Sequence, residues 1–120
     1  MTKLVKVDTR YWPRGGLAHW CPGCNSGHNI AVDQPNVSGA KWAFNGDAER
    51  PTFSPSIHIK VNTPDMGKYY QPDVASTVCH YFIRDGKIQF LGDCTHALRG
   101  QTVDLPEIPP GHYRTSTPLT

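Results

Sequence analysis

A chain of 120 residues with 12 basic and 10 acidic side chains, a formal charge of +2, has room for one domain and lacks the charge excess that by itself marks a nucleic-acid binder. Its 11 glycines and 11 prolines cut the sequence into short segments, which excludes long helices and favours strands and turns. No run approaches the ~18 apolar residues of a membrane span, and Met1 to Lys6 lacks the apolar centre of a signal peptide, so the expectation is a cytoplasmic protein without a membrane partner. Thiols stay reduced in that compartment, and four cysteines there favour a metal over a disulfide framework.

In chain order, Leu4 to Val7 is a short strand candidate, and a turn-rich stretch follows from Tyr11 to Gly16. Leu17 to Trp20 and His28 to Val32 flank Cys21-Pro22-Gly23-Cys24, as two strands flank a metal-binding turn in a β-hairpin. Ala40 to Phe44 reads as a strand and Asn45-Gly46-Asp47 as a turn. Thr52-Phe53-Ser54-Pro55-Ser56-Ile57 leads into the alternating strand Pro55 to Val61, with Phe53 and Ile57 packing; a nucleophilic serine is the minor reading of this segment. Asn62 to Asp73 is a polar loop. Val78 to Arg84 and Lys87 to Asp93, joined by Asp85-Gly86, make the strongest hairpin in the sequence. Thr95 to Leu98 hints at a helical turn and Val103 to Leu105 at a last strand. A single zinc-stabilised β domain is expected over residues 1–106, followed by a Pro/Thr-rich tail, 107–120, with no core-forming pattern.

Two thiolates three residues apart can chelate one tetrahedral ion, and the hairpin supplies a second pair. With a two-residue loop, Arg84 faces Lys87, Ile83 faces Ile88, Tyr81 faces Phe90 and Cys79 faces Gly92. Alternation then puts Cys79, Tyr81, Ile83, Ile88 and Phe90 on one apolar face, with Cys94 diagonal to Cys79. The expected ligands are Cys21, Cys24, Cys79 and Cys94, a closed structural Zn2+ site, one ion per chain. Sets in which His28, His80 or His96 enters, or supports a thiolate from behind, stay open.

His80 and Asp93 share the other face of the hairpin. With His96 they suggest a metal-dependent hydrolase, although H-E-x-x-H, G-x-S-x-G and P-loop signatures are missing from the sequence. Trp12, Trp20, Trp42, Tyr69, Tyr70 and Tyr113 with Arg14, Lys60, Lys68 and Arg84 offer a stacking platform for single-stranded nucleic acid, while Trp20 and Trp42 read foremost as core. Tyr69 and Tyr70, in a polar loop, are the expected partner contact, and the expected partner is a protein.

Trp20-Cys21-Pro22-Gly23-Cys24, the segment Phe53 to Ile57 and the block Cys79 to His96 together resemble a family of small zinc-binding proteins of tailed phages and prophages. Members are sometimes labelled ammonia monooxygenase, but this sequence shows neither copper-site nor membrane character. The resemblance spans about Trp20 to Pro106. It implies a phage or prophage gene expressed in a bacterial host, and relatives beside bacterial ubiquitin-like conjugation genes. The expectation is therefore an all-β, zinc-ribbon-like domain acting as a non-catalytic, protein-binding module that modulates a host process. The metal-dependent hydrolase and a virion or assembly component are the alternatives.

Overall fold

The computed structural model describes residues 2–119, and within them the chain is nearly all β. The strands are β1 (Val5–Lys6), β2 (Leu17–Cys21), β3 (Ser26–Ile30), β4 (Ala43–Phe44), β5 (Phe53–Ser54), β6 (Ile57–Val61), β7 (Thr77–Arg84), β8 (Lys87–Phe90), β9 (Thr102–Asp104) and β10 (Thr117–Pro118). They form three antiparallel sheets ordered β10-β1-β2-β3, β4-β5 and β6-β7-β8-β9.

The β7–β8 hairpin has the register that its Asp85-Gly86 turn dictates: Arg84 pairs with Lys87, Ile83 with Ile88 and Tyr81 with Phe90. Asp85 (φ 49) and Gly86 (φ 76) both take left-handed backbone, the conformation whose twist matches that of the two strands. Alternation buries Cys79, Tyr81, Ile83, Ile88 and Phe90 on one face. Leu4, Leu17, Cys21, Ile30, Phe53, Ile57, Cys94 and Leu105 complete this core, so the two larger sheets meet across it. Trp42 and Phe44 pack at its margin.

Two expectations change. Thr95 to Leu98 forms bends and turns; the helical element of the described residues is a 3-10 segment, Pro64–Tyr69, inside the expected polar loop and interrupted at Gly67. The stretch after Pro106 does contribute to packing. Ile108 and Tyr113 lie against buried Val5, Val7 and Ala18, β10 pairs with β1, and the Leu119 amide donates to the Leu4 carbonyl at 3.1 Å. Sequence alternation misses this because single side chains, separated by prolines and turns, make the contacts.

Candidate active site and metal centre

The stretch Leu91–His96 positions two clusters of polar and thiol side chains. After Phe90 the chain leaves the β8 ladder and turns back, with the Cys94 amide donating to the Leu91 carbonyl at 3.3 Å. It is pinned again at β7. Thr95 exchanges hydrogen bonds with the Val78 backbone, its amide donating to the Val78 carbonyl at 2.9 Å and its Oγ1 accepting from the Val78 amide at 3.0 Å. Cys94 Sγ accepts from the His80 amide and donates to the His80 carbonyl, both at 3.2 Å. Clamped in this way, the stretch sends Asp93 to one side of β7 and His96 to the other.

On the Asp93 side, the carboxylate lies 3.0 Å from His80 Nδ1. The other ring nitrogen, Nε2, lies 3.2 Å from Ser56 Oγ, on the residue that opens into β6. Hydroxyl, imidazole and carboxylate thus form one hydrogen-bonded line. His80 and Ser56 are half-buried and Asp93 is exposed. The hydrogen bond with His80 is the main reason that the Asp93 carboxyl is held below its ordinary range. The His58 ring stacks on His80 with centroids 4.3 Å apart and planes inclined by 17°. A neutral imidazole has one donor and one acceptor nitrogen, so an Nδ1–H given to Asp93 leaves Nε2 free to accept from the serine hydroxyl.

Sequence reading did not place Ser56 beside His80. The signal that would have found it is its parity, because Ser56 precedes inward-facing Ile57 and so shares the face of His58 and His80. That reading needs the pairing of His58 with His80 across β6 and β7, which the long connection 62–76 hides.

On the His96 side, Cys21, Cys24, Cys79 and His96 bring four donor atoms within 4.8 Å of one another. Cys21 Sγ lies 3.8 Å from Cys79 Sγ, and Cys79 Sγ lies 3.5 Å from His96 Nε2. A tetrahedral ion with metal–sulfur bonds of about 2.3 Å and metal–nitrogen bonds of about 2.05 Å would set these edges at about 3.8 and about 3.6 Å. The donor set therefore fits such an ion. The electrostatics of the bare cluster point the same way. The hydrogen bond from Cys79 brings the Cys21 thiol down to about 6; loss of water and the Cys21 charge push Cys24 up to about 11, and Cys79 is driven up further. Several thiolates cannot share this space without a cation.

The structure thus unites three of the four expected cysteines with His96, and puts Cys94 to a different use on the His80 backbone. Gly23 of the Cys-Pro-Gly-Cys turn is required for a reason the sequence does not show: a Cβ there would run into the His96 imidazole. The left-handed position of the turn region falls on Asn25 (φ 53). His28 stands behind the cluster, its Nδ1 2.9 Å from the Tyr81 hydroxyl.

The expected convergence of His80, His96 and Asp93 does not occur, because His96 sits with the thiols. His58 instead joins His80 and Asp93 as donors within 4.8 Å. Both His80 nitrogens are already engaged, so a metal there would have to break the hydrogen-bonded line. Tyr69 is exposed over the Lys68 ammonium, Tyr70 is half-buried, and neither borders these groups. Among the described residues no helix is long and apolar enough to cross a membrane.

The model of one protein family, BubE, described as a bacterial ubiquitination-like system serine protease, matches residues 2–91. The match includes Cys21, Cys24, Ser56, Cys79 and His80 and ends before Asp93 and His96. No curated protein and no solved structure matches the chain.

Proposed function

The chain belongs to the BubE family of bacterial ubiquitination-like systems, and on that premise we propose that it is a serine protease whose catalytic residues are Ser56, His80 and Asp93. The observation that carries the reading is the continuous line Ser56 Oγ–His80–Asp93, at 3.2 and 3.0 Å. This reading takes the place of the non-catalytic binding module expected from the sequence. Triads of this kind recur on unrelated folds in different chain orders and are recognised by geometry and role.

In this reading Ser56 Oγ attacks a substrate acyl carbon while His80 Nε2 takes the hydroxyl proton. Asp93 holds the ring through Nδ1–H and stabilises the imidazolium. His80 then returns the proton to the leaving amine, the acyl group stays on Ser56, and water activated by the same imidazole releases it as a carboxylic acid. Ubiquitin-like conjugation joins polypeptides through acyl bonds at a carboxyl terminus, so the substrate class is a polypeptide of such a system.

The cysteine–histidine cluster is, in the same proposal, a structural zinc site. Its four protein donors leave no open position, and soft thiolates with one imidazole suit Zn2+. Zinc there ties the β2–β3 turn to β7 and to the Leu91–His96 stretch.

The test of the protease reading is active-site labelling by a fluorophosphonate, read by mass spectrometry. The wild type should be modified at Ser56; Ser56→Ala should not be labelled, and Asp93→Asn should be labelled at least ~100-fold more slowly. Modification elsewhere, or none, would overturn the assignment. Metal quantitation tests the cluster. One zinc per chain is expected in the wild type and in Cys94→Ser, against a loss of zinc in Cys79→Ser; the reverse would restore Cys94 as a ligand.

A further inference from the structure

Strand β6 is an edge of its sheet, and the phase of the neighbouring hydrogen bonds fixes which way its backbone faces. The Leu91 amide donates to the His80 carbonyl, the His80 amide donates to Cys94 Sγ, and both backbone groups of Val78 bond Thr95. Val78 and His80 therefore direct their backbone away from β6, and Thr77, Cys79 and Tyr81 direct theirs toward it. Their partners are Val61, Ile59 and Ile57. The alternate residues Ser56, His58 and Lys60 must then face outward. The Ser56 carbonyl does so, accepting the Trp42 indole N–H at 3.1 Å. His58 and Lys60 are exposed, and among the described residues no hydrogen bond reaches the outward N–H or C=O of either.

An unpaired stretch of edge thus begins two residues after Ser56. A second feature adjoins it. Ile59 and Val61, on the opposite face of β6 from His58, wall a cavity of about 390 Å3 whose far side is lined by Cys24, Cys79 and His96 of the cluster itself.

Resting on the Ser56 protease reading, the geometry points to β6 as the substrate-binding strand: it takes an extended, unfolded polypeptide segment as an added β-strand. The substrate backbone pairs with His58 and Lys60, and one of its alternate side chains enters the cavity behind Ile59 and Val61. Main-chain pairing of this kind gives affinity with little sequence demand, while the pocket supplies selectivity. From Ser56 to Lys60 the edge spans about 13 Å, so about four substrate residues on one side of the cleaved bond are held. Folded segments are excluded, because their backbone groups are already paired.

The test separates this inference from the triad it rests on. Lys60→Pro deletes one outward N–H, and a proline is tolerated on an edge strand where its nitrogen faces away from the ladder. Lys60→Ala is the control, since it loses the same surface ion pair with Asp65 but keeps the N–H. Each variant is treated with the fluorophosphonate and, separately, with a proteome-derived peptide library whose cleavage is followed by mass spectrometry. The expected result is equal labelling in all three proteins, with library cleavage slowed about tenfold or more in Lys60→Pro and unchanged in Lys60→Ala.

Equal cleavage by Lys60→Pro, or no cleavage of the library by a wild type that is labelled, overturns the inference and leaves the triad standing. Failure of labelling at Ser56 removes both. If Lys60→Pro does not fold, NMR of Ser56→Ala decides the matter. Titration with a peptide that the wild type cleaves should move the His58 and Lys60 amide resonances, and unmoved resonances overturn the proposal.

Discussion

The Tyr81 hydroxyl sits in the core between two imidazoles, 2.7 Å from His19 Nε2 and 2.9 Å from His28 Nδ1. It has one proton to donate, so it gives to one ring nitrogen and accepts N–H from the other, which couples the tautomers of the two rings. Burial, and then the neighbouring His28, bring His19 down to about 3; burial, and then His96, bring His28 down to about 4, so both rings are neutral near pH 7. Tyr81→Phe keeps the ring packing and strands two buried ring nitrogens. Urea unfolding should show a loss of about 2 kcal/mol. None of this network is visible in the sequence, because His19 and His28 come from the β2–β3 hairpin and Tyr81 from β7. Cys94 shows the opposite case, a residue whose burial was legible but whose role was not. Alternation correctly puts Cys94 on the core side with Cys79, but its Sγ is taken up by the His80 amide and carbonyl, a contact that spacing alone does not show.

At the scale of elements, the β7–β8 turn and its register from Arg84–Lys87 to Tyr81–Phe90 are legible, since Asp-Gly turn chemistry and alternation agree there, but the expected continuation to Asp93, with Cys79 facing Gly92, stops at Phe90. Gly86 carries more than its turn. Its amide donates to the Pro51 carbonyl, its carbonyl accepts from Leu105, and a Cβ would lie 3.3 Å from both Arg50 Cα and the Glu49 carbonyl. At φ 76 an alanine is also strained. Gly86→Ala should lower stability by about 1–2 kcal/mol, read as a lower denaturant midpoint at unchanged slope. The β6–β7 pairing is the element the sequence conceals: the connection 62–76 carries no short-turn signal, so nothing local sets His58 opposite His80. The hydrogen-bonded line Ser56–His80–Asp93 depends on that pairing, so the sequence shows His80 and Asp93 sharing a face but not Ser56 beside them.

At the scale of the whole molecule, residues 107–119 close the fold over the β1–β2 side. Tyr113 lies against Trp12 with centroids 5.7 Å apart and fills the space over Gly27, while His112 meets Trp20 at 4.6 Å. Deleting the chain after Pro106 would uncover Val5, Val7 and Ala18 and remove the strand beside β1. The cost should be on the order of 3 kcal/mol, seen as a fall in Tm of roughly 10 °C. A freely hanging tail would leave Tm unchanged.

The clamped stretch Leu91–His96 has a wider consequence. A carboxylate that holds the His80 ring and an imidazole that faces the sulfurs are borne by one six-residue bridge, fastened midway by Cys94 and Thr95. Neither can be shifted in isolation. Insertions, deletions or a slipped pairing here would displace the Asp93 carboxylate and the His96 imidazole together, so the bridge admits change only as a unit.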